Sequence, residues 1–86
     1  MQTEDSVDAG ERALDYLRFL DEQLRIAMRR SLEEGRPELA VSLDTARDFV
    51  ESVLAEDHPT STRVAVARAR AEIALEVWRE SSELRH

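Results

Sequence analysis

Cysteine and lysine are both missing from this 86-residue chain, and proline and glycine occur only twice each. Without cysteine there are no disulfides and no thiolate zinc sites, and nothing ties the chain to an oxidising compartment. Without lysine, all 12 basic side chains are arginines, set against 19 carboxylates for a formal net charge of −7. Such a bias suits a GC-rich coding sequence or adaptation to high salt, and an excess of Glu over Asp, 12 to 7, speaks against the second. A chain this acidic is a poor direct ligand for nucleic acid, whose phosphates call for concentrated positive charge. Long apolar runs are also missing: nowhere do the roughly 18 consecutive apolar residues of a membrane span occur. Gln2, Thr3, Glu4, Asp5 and Ser6 follow Met1 in place of a basic and then apolar leader. The expectation is a cytoplasmic protein with no membrane contact and no cofactor.

The scarce prolines and glycines mark where the hydrophobic pattern breaks. Gly35-Arg36-Pro37 suits the end of one helix and the first turn of the next, with glycine free to turn left-handed and proline fixed for a helix start. Asp57-His58-Pro59-Thr60 forms the second break, where Asp57 or Thr60 can cap. No sustained period-2 alternation and no hairpin dipeptide argue for strands. The pattern predicts an all-α, up-down-up three-helix bundle in a single domain, with helices over about 7–34, 37–56 and 60–84 and residues 1–6 as a disordered tail. Asp8 and Glu11 stand at capping-box spacing for the first start. A tetratricopeptide reading fails, because the second helix is too long and no second copy of the motif follows.

The first helix carries more apolar side chains than one face holds. They spread over about 240° of its wheel, whereas a helix on the outside of a small bundle buries about half its circumference. The second helix is ordinary, with an apolar arc of about 180° and Val41 alone on the wet side. In the third, Val66, Ala69, Ile73, Val77 and Leu84 form the central stripe, broadened on one flank by Ala67, Ala71, Leu75 and Trp78. Surplus apolar surface is covered at least cost by another protein surface. The sequence therefore points to a non-enzymatic interaction module, a homodimeric regulator or adaptor whose partners are a second copy of itself and another protein. Tyr16, Phe19, Leu20 and Ile26 are the contact expected on the first helix, and Leu75 and Trp78 form the other apolar surface.

Chemistry has little to work with. Glu83 and His86 match the Glu-x-x-His spacing of carboxylate-bridged metal bundles, which makes a dimeric metal-binding half-bundle one alternative. Arg79 and His86 resemble in spacing the arginine–histidine pair of helical ribonucleases of the HEPN type, although those domains are longer and their histidine is not terminal. His58 precedes Pro59 in a loop and reads as solvated. No Gly-rich phosphate loop and no His-Glu-x-x-His motif is present, so no catalytic, metal-binding or cofactor-binding residues are assigned. Glu72, Glu76, Glu80 and Glu83 make an acidic stripe, read as a solvated face or, as a second alternative, as a nucleic-acid mimic that inhibits a DNA-binding protein. Asp21 and Arg70 interrupt the apolar arcs of helices 1 and 3 and are expected to form a buried polar pair between them.

Overall fold

The computed structural model describes the backbone of residues 2–83 and the side chains of residues 10–82. Three helices, α1 (Gln2–Glu33), α2 (Pro37–Leu54) and α3 (Ser61–Glu83), all pack against one another, and the described residues hold no strand. α1 already begins at Gln2, ahead of the capping-box start at Asp8. It outruns its neighbours: 32 residues reach about 48 Å at 1.5 Å per residue, against about 27 Å for the 18 of α2.

Both breaks work by local hydrogen bonding. Gly35 takes φ +72°, its N–H donates to the Leu32 carbonyl, and the Arg36 N–H donates to the Ser31 carbonyl at 2.7 Å. That is the Schellman arrangement, which satisfies two of the carbonyls orphaned at a helix end. Pro37 then opens α2, where its missing N–H costs nothing. At the second break the Thr60 hydroxyl accepts from the Arg63 N–H at 3.2 Å, so Thr60 is the residue that caps α3.

Leucine and valine from α1 and α2 meet alanine from α3 in the core. Leu17, Leu24, Leu43, Val50 and Val53 are fully enclosed, and so are Ala67 and Ala71. The face of α3 turned inward thus centres on Ala67 and Ala71, with Leu75 beside them, and the alanines let that helix approach closely. Val66, Ile73 and Val77, expected as the central stripe of that helix, lie outside instead, with Ile73 61% exposed. Hydrophobicity ranks them above alanine, but close approach of three helices selects for volume.

α1 and α3 run parallel. Tyr16 of α1 meets Glu72 of α3, and Arg36, just past the end of α1, donates to the Ser81 carbonyl at 3.1 Å near the end of α3. Arg36 thereby ties the α1–α2 turn to a carbonyl in the last turn of α3, where a cation also suits the helix dipole. The molecule is long and thin, with Cα extents of 51 × 23 × 17 Å. No described helix is long and apolar enough to cross a membrane.

Candidate functional site

Among the described residues, two outer faces of the bundle gather large exposed apolar side chains. The first lies along α1 where it borders α3. Tyr16 and Phe19 stack there with ring centroids 6.2 Å apart, Phe19 is 55% exposed, and Ile26 continues the strip one turn beyond Gln23. The strip follows from helical spacing, since residues three, four and seven apart share one face. The Tyr16 hydroxyl donates to Glu72 Oε2 at 2.8 Å. That hydrogen bond raises the phenol's pKa above its usual value, assisted by burial and by the neighbouring carboxylate charge. Glu72, Glu76 and Arg79 of α3 line the opposite bank.

The second face is a groove of about 350 Å³ between α2 and α3, lined among others by Leu39, Ser42, Ala46, Arg70, Ile73 and Val77. It exists because Ala67, Ala71 and Leu75 of α3 point inward while Ile73 and Val77 do not. Arg70 is the one charged side chain in its lining, and its guanidinium sits 4.6 Å from the centroid of the Phe49 ring. Arg63 approaches the same ring at 5.5 Å while holding Glu56 at 2.7 Å. In both contacts the guanidinium itself lies over the ring, where the negative face of the aromatic attracts it.

Of the contact residues expected from sequence, Tyr16, Phe19 and Ile26 are exposed and share the first face. Leu20 and Leu75 are each 3% exposed and belong to the chain's own core, so neither is available to a partner. Trp78 is half-buried against that core. The expected pair of Asp21 with Arg70 does not form. Asp21 meets Arg47 of α2 at 3.4 Å, and Arg70 rests on Phe49 of α2. Each residue turns into the groove its own helix makes with α2, and the two grooves flank different sides of that helix. Arg47 carries no apolar-arc signature in the sequence, and its role appears only once α1 and α2 are packed.

The remaining charges are local. Arg18 pairs with Asp15 and Arg25 with Glu22, each three residues apart on the wet side of α1. The hydrogen bond from Arg25 holds the Glu22 carboxyl below its usual pKa. His58 is exposed in the loop between α2 and α3. The Glu83 side chain and His86, on which metal or ribonuclease chemistry would rest, lie outside the described residues. Among those described, no group of three His, Cys, Asp or Glu residues is placed to hold a metal ion. Comparison with protein-family models, with curated proteins and with solved structures finds no match for this chain.

Proposed function

We propose that this chain is a non-enzymatic helical interaction module of the cytoplasm, a homodimeric adaptor that joins a second copy through one apolar face and offers the other to a different protein. One observation carries this reading: the pairing of Tyr16 and Phe19 on one side of the bundle with Ile73 and Val77 on another, all large, apolar and exposed.

Light scattering over graded concentrations tests the self-association. A mass rising towards twice 9.8 kDa supports the reading, and a monomer at high micromolar concentration removes it. Association through apolar faces also persists in salt, whereas capture of a basic partner by the carboxylate stripe of α3 would be released by it.

A further inference from the structure

The groove between α2 and α3 has an internal symmetry that selects its occupant. Val66, Arg70, Ile73, Val77 and Glu80 lie along the outer side of α3 in alternating steps of four and three residues, the spacing of a coiled-coil seam. All five are exposed. Reversing the helix about Leu75 exchanges Ile73 with Val77 and Arg70 with Glu80. It also exchanges Val66 with Leu84, which lies outside the described residues.

We propose that this seam takes a second copy of the chain, laid antiparallel along α3 about a twofold axis at the level of Leu75. The proposal rests on the self-association reading above and adds to it the face, the direction and the ion pair. A twofold axis makes every contact occur twice. Ile73 then packs on the partner's Val77 and Val77 on the partner's Ile73, while Arg70 meets the partner's Glu80 at both ends of this apolar centre. Parallel copies in register would set Arg70 beside Arg70 and Glu80 beside Glu80, and like charges at a seam repel. Direction is therefore written in the charges.

The rest of the groove agrees. Its α2 bank, with Leu39, Ser42 and Thr45, carries no charge to oppose the incoming helix. The guanidinium of Arg70 is stacked on Phe49 of α2, which restrains this side chain at the edge of the seam before a partner arrives. The α1 face lacks this self-complementarity. Gln23 stands between Phe19 and Ile26, and the Tyr16 hydroxyl is already engaged by Glu72. That face is left for the different partner.

Charge reversal tests the arrangement on the full chain by sedimentation equilibrium, with far-UV circular dichroism to show that each variant keeps its helices. Arg70→Glu and Glu80→Arg should each weaken the dimer by about tenfold or more, since either change places like charges at two layers. The double variant, Arg70→Glu with Glu80→Arg, should regain wild-type affinity within about threefold. A parallel pair would gain nothing from the second change. Ile73→Ser should weaken the dimer without touching the charges, and Phe19→Asp should leave it intact. A folded double variant that stays as weak as the single ones overturns the proposal. So does a dimer broken by Phe19→Asp and indifferent to the α3 changes, which leaves the homodimer reading standing with its contact on α1. A wild-type monomer at high micromolar concentration removes both.

Discussion

The Nε of Arg47 on α2 stands 3.4 Å from Oδ1 of Asp21 on α1 and 3.1 Å from Oε1 of Glu51 on the next turn of α2, close enough to pair with both charges but hydrogen-bonded to neither. One cation therefore serves two carboxylates in the groove between these helices. The consequence appears at Asp21, whose pKa is raised: burial is the largest cause, the charge of Glu51 adds to it, and Arg47 offsets both only in part.

A carboxyl whose pKa is higher in the folded chain than in the unfolded one takes up protons on folding. Its contribution to stability is then least favourable above the folded pKa and improves as pH falls through it. Asp21→Asn should accordingly melt at or above the wild-type temperature at neutral pH, with the difference shrinking in mild acid. Thermal unfolding of both proteins at the two pH values measures this. A variant less stable by more than about 1 kcal/mol at neutral pH would show that the ion pair outweighs the burial of its charge.

The two glycines should respond to alanine with opposite signs. Gly35 has φ +72° with open space where a Cβ would sit, so Gly35→Ala carries backbone strain alone, about 1–2 kcal/mol. Gly10 lies within α1, also in open space, and Gly10→Ala should stabilise by about 0.5–1 kcal/mol through helix propensity. Urea denaturation of the pair gives both numbers. Equal shifts would place the turn at Gly35 outside the left-handed region.

How much of this was legible before folding follows from which physical quantity decides each feature. The two breaks were legible because Gly35, Pro37 and Thr60 act through their own backbone and their near neighbours, and the three helices with them. The inward face of α3 was not. A hydrophobic wheel weighs Val66, Ile73 and Val77 above Ala67 and Ala71, yet the distance between packed helices is set by side-chain volume, and there the alanines win. The same limit applies to Asp21. A wheel gives the angle of a side chain on its own helix but not which neighbour stands opposite, so it pointed to Arg70, which interrupts an apolar arc, and not to Arg47, which does not. On the α1 face, Tyr16, Phe19 and Ile26 were legible as surplus, while Leu20 was absorbed by the core.

The alanine face of α3 can be tested by filling it. Ala71 is fully enclosed between the other two helices, so Ala71→Leu forces extra volume into a packed core and should cost about 1–3 kcal/mol. Ala69 is exposed on the other side, and Ala69→Leu should change stability by no more than about 0.5 kcal/mol. The contrast, measured by denaturant unfolding, reads the rotation of α3 directly. Reversed costs would mean that Val66, Ile73 and Val77 face inward after all, and the outer seam would go with them.

Arg36 offers a last test, because it joins parts of the chain that are distant in sequence. Its guanidinium donates to the Ser81 carbonyl, 45 residues away, and this is a tether between the α1–α2 turn and the end of α3. Hydrogen bonds from a charged donor are worth about 1.5–3 kcal/mol, but the second guanidinium nitrogen of Arg36 is buried without a partner among the described residues, which subtracts from that. Arg36→Ala should therefore cost about 1 kcal/mol overall and act locally. Loss of the tether should free the last turn of α3, so amide exchange near Ser81 should accelerate while Val50 and Val53 in the core keep their protection. Trp78, the one tryptophan of the chain, stands less than a turn before Ser81 and reports the same change as a shift in fluorescence. Uniform acceleration across all three helices would instead show that Arg36 supports the bundle as a whole.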